Sequence, residues 1–238
     1  MGEGDSMDRF KGRLGVVTAV RNRTHHLNAS AELLSRSACH LEHLIVDWSS
    51  EPPVQRCQLP PDPRIRLLRV NGESLWWLSR AYNHAILHSR ADWILHCDAD
   101  CLLEPSFFSA LQLETGTIQL AALPGSIDAA ECYERSGLVL APRNSLLAVG
   151  GYEPLLVGWG YEDIDLQERL FLAGHRLSML PRVGVNSLTH PDHWRCGKQA
   201  WLPPRLRLEA TNSANRMMAL WCRNQPPRLS LDDPGPLC

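Results

Sequence analysis

Short unbroken apolar runs, set between stripes at helical spacing, constrain this chain most. Leu14–Val20 (LGVVTAV), His43–Asp47 (HLIVD) and Trp93–Cys97 have strand length and little or no polar face, and Ile65–Val70 reads as a further strand. Between them, Leu27–Arg36 and the segment from about Ser74 to His88 place apolar residues on one helical side. Strands apolar on both faces need helices above and below, so this alternation reads as βαβ units building a mostly parallel sheet. The expected fold is α/β, Rossmann-like, with helices on both faces. Such sheets bind ligands beyond the carboxyl ends of their strands. Arg21, Asp47 and Asp98 all fall there.

The second half is less regular. Leu138–Leu140, Leu177–Leu180 and Val183–Val185 read as short strands, Asn144–Val149 and Glu162–Ala173 as helices, and Gly150–Gly160 as a glycine-rich loop. A polar lead over residues 1–13 and a proline-rich tail over 224–238 flank one domain spanning 14–223. The net charge of −2 gives no field for nucleic acid or an anionic membrane, and no apolar run is long enough to span a bilayer. The eight cysteines form no CxxC pair and no zinc spacing, and several lie inside apolar runs as small hydrophobes. A reduced, cytoplasmic protein is the expectation.

Three segments carry candidate chemistry. Asp98-Ala99-Asp100 puts two carboxylates at alternate positions after a buried strand, where they can hold a hard divalent cation. Alone it reads equally as a solvated turn; the buried strand before it argues for compensated charge. Gly158-Trp159-Gly160-Tyr161-Glu162-Asp163 offers a flexible backbone, a flat indole for a sugar ring and two acids in a helix's first turn. Helix capping accounts for the acids but not for Gly-Trp-Gly. His190 and His193 follow, and each alone reads as structural; only the need for a third ligand beside the Asp pair promotes one of them. Arg21 and Arg23 can clamp phosphate or simply lie in a solvated loop, while Arg80 and Asn83 sit on the inner half of their helix. Trp76 and Trp77 read as packing.

In this order, residues 14–27 (LGVVTAVRNRTHHL), Val46-Asp47, Arg80-Ala-Tyr-Asn83, Asp98-Ala-Asp100 and Gly150-Gly-Tyr152 with Gly158–Asp163 resemble GT-A glycosyltransferases over residues 14–195. The first half is similar to family 2. The GWGYED segment and the RNR loop resemble β1,4-galactosyltransferases and bacterial chondroitin polymerase domains. The resemblance implies the GT-A form of the α/β fold, with a small mixed sheet beside the main one. It also implies a nucleotide-diphosphate sugar donor, usually a UDP-sugar, with Mn²⁺ (or Mg²⁺), and a carbohydrate or other hydroxyl acceptor. By position, Thr18, Arg21, Arg23, Asp47, Arg80, Asn83 and Asp98 would hold the donor. Asp100 and His190 would ligate the metal, with His193 as the rival ligand. Trp159 would lie against donor or acceptor sugar, Tyr161 and Glu162 would line the acceptor site, and Asp163 would be the general base of an inverting transfer. Tyr161 departs from the Gly common at that position. A retaining transferase and a nucleotide-sugar-binding module without turnover are the rival readings.

Overall fold

The computed structural model describes residues 13–121, 137–191, 193–196 and 203–224. Apart from Arg13 and Asn224, the expected lead and tail lie outside the described residues. The first half follows the apolar runs closely. Strand β1 (Leu14–Val20), helix α1 (Thr24–Ser35), β2 (Glu42–Trp48), β3 (Ile65–Val70), α2 (Leu78–His88) and β4 (Trp93–His96) succeed one another as two βαβ-type crossovers. Then come β5 (Cys101–Leu103), α3 (Pro105–Ala110), β6 (Thr117–Leu120), β7 (Val139–Pro142) and α4 (Arg143–Ala148). The chain continues with α5 (Glu162–Leu172), β8 (Arg176–Met179), β9 (Val185–Ser187), α6 (His193–Cys196) and α7 (Pro204–Cys222).

Seven strands form one sheet in the order β3-β2-β1-β4-β7-β6-β8, and β5 pairs with β9 in a separate two-stranded ribbon. β1, β2, β3 and β4 are mutually parallel; β7 runs antiparallel to both β4 and β6. Alternate residues of β1 serve opposite faces. Val17 and Ala19 join Tyr82, Ile86, Tyr152 and Leu166 in one core, whereas Leu14 and Val16 join Leu34, Phe107 and Phe108 in another. This double coverage is why the strands could be apolar throughout. The architecture is α/β, a mostly parallel sheet with helices on both faces and a small antiparallel ribbon beside it.

The last expected strand is displaced to Val185–Ser187. Gly184 takes a left-handed φ of 70°, and its carbonyl accepts from the Glu104 N–H at 2.8 Å, so the chain is still turning where the strand was expected. That shift matters for the site, because β9 leads to His190.

Candidate active site

The parallel register of β1 with β2 and β4 brings their carboxyl ends to one edge, with Val20 opposite Asp47 and Val17 opposite His96. The Asp98-Ala99-Asp100 turn leaves β4 there, and the ribbon returns the chain beside it: Cys101 faces Ser187, and Leu188 N–H donates to the Asp100 carbonyl at 2.8 Å. His190 is thereby delivered to Asp100. Its Nε2 lies 2.8 Å from Asp100 Oδ2, and the Arg23 guanidinium stands 3.4 Å from that oxygen and 3.1 Å from Nε2. Asp100 is held below the usual carboxylate range: burial alone would raise it, and the His190 hydrogen bond and Arg23 charge outweigh that. His193 is exposed on α6, edge-on to Trp194. Trp194 itself lies parallel to the His190 ring at 6.1 Å and edge-on to buried His26 at 5.3 Å.

On the other side of the cleft, α5 begins with Glu162 and Asp163. Gly158 and Gly160 make the bend before it with φ values of 81° and 110°. A Cβ on Gly160 would come within 2.9 Å of Asn212 Cβ on α7. Asn215 donates to the carbonyls of Val157 and Gly160, so α7 fixes the loop from behind. Gly158 N–H donates to Trp76 O and bridges to Trp77 from the front. Trp159 is half-buried in this loop. Tyr161 adopts φ 72°, the left-handed region, and its hydroxyl lies 3.4 Å from Glu168.

Glu162 and Asp163 have no cationic partner among the described residues. Burial pushes the Glu162 carboxyl up to about 7. Burial, then the charges of Glu162 and Asp98, push Asp163 well above its ordinary value, and the Tyr152 hydroxyl, 3.2 Å from Asp163 Oδ1, pulls it back down. Tyr152 belongs to a buried stack absent from the sequence reading. The Tyr82 ring lies near-parallel to both His96 and Tyr152, and the Tyr152 ring is tilted by 32° to His96, with centroids 4.8–5.3 Å apart. Tyr82 donates to Asp98 Oδ1 at 2.8 Å, and Gly137 leaves room for the other Asp98 oxygen, which a Cβ there would meet at 2.3 Å. A hydroxyl at the end of a core-facing tyrosine was the available signal.

Not every candidate reaches the cleft. Thr18 is wholly buried in β1 with its hydroxyl 3.0 Å from His43 Nε2, which corrects its assignment to the donor site. Asn83 is likewise corrected: its amide clamps both N–H and C=O of Tyr152, and so it seats the Gly150-Gly151 turn. Asp47 is fully buried, its two oxygens accepting from Ser50 N–H, Val54 N–H and Arg69. It braces the loop after β2 and offers a ligand no free oxygen. Arg21 donates to Ser74 O, and its other terminal nitrogen has no partner among the described residues. Arg80 lies 3.8 Å above the Trp77 ring with its Nε unpartnered among the described residues. Asp98, Asp100, Glu162, Asp163, Arg21, Arg23, Arg80 and His190 remain the candidates for the cleft.

Residues 16–126 match the profile "Glycosyl transferase family 2", and residues 128–193 match "N-terminal domain of galactosyltransferase". A stretch of 57 residues is 37% identical to chondroitin sulfate synthase 3 of Homo sapiens and of Mus musculus; it is 24% of this chain and only 6% of those proteins. Among solved structures, the fold is similar to a Mycobacterium tuberculosis glucosyl-3-phosphoglycerate synthase in complex with Mn²⁺, UDP and phosphoglyceric acid (TM-score 0.64, 14% identity, 95% of this chain and 84% of that one). It is also similar to the Pyrobaculum calidifontis mannosyltransferase PcManGT with GDP-Man and Mn²⁺ (0.62, 15%, 89% and 72%). A Drosophila β1,4-galactosyltransferase 7 with manganese, UDP-Gal and xylobiose is a third (0.56, 12%, 82% and 79%). The chain is thus similar to family 2 glycosyltransferases over residues 16–126, and its architecture is the GT-A form of the α/β fold.

Proposed function

We propose that this chain moves a sugar from a UDP-sugar to a hydroxyl of a carbohydrate or similar acceptor, with inversion at the anomeric carbon and Asp163 as general base. The observation that carries this reading is Asp163 itself. It opens α5 at the cleft, has no cationic partner among the described residues, and accepts from the Tyr152 hydroxyl at 3.2 Å, while burial and the charges of Glu162 and Asp98 raise its proton affinity, as a general base requires. In the step envisaged, Asp163 takes the acceptor hydroxyl proton as that oxygen bonds to the anomeric carbon. The bond from that carbon to the diphosphate oxygen breaks, and UDP leaves with its electron pair. Glu162 hydrogen-bonds the acceptor, and Trp159 supplies an apolar face to a sugar ring. Tyr161 borders the same loop.

On the donor side, Arg21, Arg23 and Arg80 bring cationic forks toward the diphosphate, and Asp98, fixed by Tyr82, binds the nucleotide sugar. Asp47 serves the same end indirectly, through the loop it braces. Among the described residues no three His, Cys, Asp or Glu side chains converge into a ready metal cluster. Asp100 and His190 do present a carboxylate oxygen and an imidazole nitrogen 2.8 Å apart, a donor pair that suits Mn²⁺ and tolerates Mg²⁺ less well. A cation held there supplies charge neutralisation of the departing diphosphate. The three structures compared above were each obtained with manganese, which supports that assignment. No described helix is long and apolar enough to cross a membrane.

The test is a screen of UDP- and GDP-sugars for Mn²⁺-dependent release of nucleotide diphosphate, with and without candidate glycan acceptors. UDP-sugar turnover that stops on chelation is the expected result. Calorimetric binding without turnover for every acceptor would favour the binding-module reading, and a retained anomeric configuration in the product would remove Asp163 as base.

A further inference from the structure

The Tyr82–His96–Tyr152 stack lies between two carboxylates 65 positions apart in sequence, Asp98 and Asp163, and touches both. All three side chains are wholly buried, in a core that otherwise consists of aliphatic and aromatic residues. A polar imidazole is expensive there unless its nitrogens are used. His96 Nδ1 lies 2.7 Å from the Tyr152 hydroxyl oxygen, whereas Nε2 has no partner among the described residues.

That asymmetry fixes the protons. Burial keeps the ring neutral, lowering its proton affinity to a pKa of about 3, so it carries one N–H. On Nε2 that hydrogen would be an orphaned buried donor; on Nδ1 it meets the Tyr152 oxygen, and only an acceptor lone pair is left unmatched. Orphan donors are rarer than under-satisfied acceptors. With Nδ1–H donating into its oxygen, the Tyr152 hydroxyl must send its own hydrogen elsewhere, and its other polar neighbour is Asp163 Oδ1.

We propose that His96 is a positioning residue for the base: its Nδ1–H turns the Tyr152 hydroxyl proton onto Asp163, which holds that carboxylate ionised with its second oxygen available to the acceptor. The inference rests on Asp163 being the base. The groups that face Asp163 agree with it. Glu162 and Asp98 both disfavour its ionised form, Tyr82 is engaged with Asp98, and the Tyr152 hydroxyl is the one group here that favours ionisation. Burial and the two neighbouring acids all oppose ionisation of the base, and the hydroxyl donor is what counters them. The reverse orientation, Tyr152 donating to Nδ1, would need a protonated Asp163 to fill the contact, and a protonated carboxyl is no base.

Two measurements decide this. The first needs no substitution: ¹⁵N-histidine NMR of the intact chain, with the His96 signal assigned by its loss in His96→Asn. Protonated Nδ1 and bare Nε2 are expected; the Nε2–H tautomer or an imidazolium would overturn the proposal. The second is the pH profile of kcat, read as UDP release from the donor selected by the sugar screen. Tyr152→Phe should move the acidic limb upward by roughly one pH unit, since it removes a hydrogen bond to the ionised form. His96→Leu should move it in the same direction. His96→Asn, whose amide N–H can stand near Nδ1, should restore it. A packing role predicts the opposite order, because Leu fills an apolar stack better than Asn. An unmoved limb in Tyr152→Phe, or Leu outperforming Asn, sinks the role of His96. Turnover surviving in Asp163→Asn would sink the base assignment, and this role with it. Turnover lost there while the Tyr152→Phe limb stays in place sinks the positioning role alone.

Discussion

Two sets of acids, buried or half-buried, divide this molecule. Away from the cleft floor, each buried carboxylate has its own arginine: Glu42 with Arg66, Asp47 with Arg69, Asp62 with Arg64 and Asp165 with Arg169. Those pairs hold loops. Asp47 and Arg69 brace the turn after β2, while Arg169, fixed by Asp165, reaches the carbonyls of Val149 and Gly151. At the start of α5, Glu162 and Asp163 share the same helix turn as Asp165 and have no such partner among the described residues. Outside the Asp100–His190 pair, pairing separates loop support from the cleft: those acids are satisfied by their arginines, whereas Glu162 and Asp163 carry a raised proton affinity that can be used.

The largest effect should come from testing the uncompensated set. Asp163→Asn keeps the shape and removes the basic oxygen, so turnover should fall by roughly 10²–10⁴-fold. Affinity for UDP with Mn²⁺, measured by calorimetry, should survive. Near-normal turnover would break the division at its centre. In the compensated set, Asp47→Ala strands Arg69 and frees the Ser50 and Val54 N–H groups, at a cost of about 3–5 kcal/mol in denaturant unfolding. A loss of UDP affinity without that loss of stability would instead make Asp47 a direct ligand contact.

Glu162 sharpens the contrast because its removal should stabilise. Its proton affinity in the folded chain is raised to about 7 from an ordinary value near 4.5, so the folded state holds the proton more tightly than the unfolded one. Stability therefore falls as pH rises between those values and levels off above about 7. The burial penalty removed in Glu162→Gln amounts to about 3 kcal/mol at pH 8, vanishing near pH 4. Melting curves at the two pH values measure it. Equal gaps at both would mean that Glu162 is charged and satisfied in the fold.

Much of this was legible in the sequence, and the gaps have physical reasons. β1 begins and ends where its apolar run does, because a strand covered on both faces has no polar residue to blur its edges. α7 escaped notice: Leu206, Met217, Leu220 and Trp221 point outward, and only Leu208, Asn215 and Ala219 are buried, so its pattern is inverted. Its contact with the GWG loop runs through Asn212 and Asn215, which no hydrophobic periodicity reports. At the site, Asp100 and His190, paired by the resemblance, lie 2.8 Å apart. Thr18 and Asn83 did not behave as motif order implied, since position in a motif does not say which way a side chain faces. The link from His96 through Tyr152 to Asp163 was hidden because the tyrosine hydroxyl gives only a local signal, and which partner a buried polar group meets depends on packing between segments far apart in sequence.

The smallest effect concerns Tyr161, where the fold tolerates a residue its backbone disfavours. A φ of 72° places its Cβ against the following carbonyl, at a cost of about 1 kcal/mol for any residue but glycine. The side chain recovers part of that through its half-buried ring and a long contact to Glu168. Replacing Tyr161 by Gly removes the strain and the contacts together, and adds unfolded-state entropy, so the net change from wild type is small. Comparing two variants isolates the backbone term. Tyr161→Ala loses the same contacts and keeps the strain, so Tyr161→Gly should be the more stable of the pair by about 1 kcal/mol before glycine's entropy is counted, and should melt higher by a few degrees at most. Alanine melting at or above glycine would mean that the loop relaxes out of the left-handed region once the ring is gone. In that case Gly158 and Gly160 alone set the bend that presents Glu162 and Asp163 to the cleft, and the tyrosine, not the backbone, holds position 161 in its strained state.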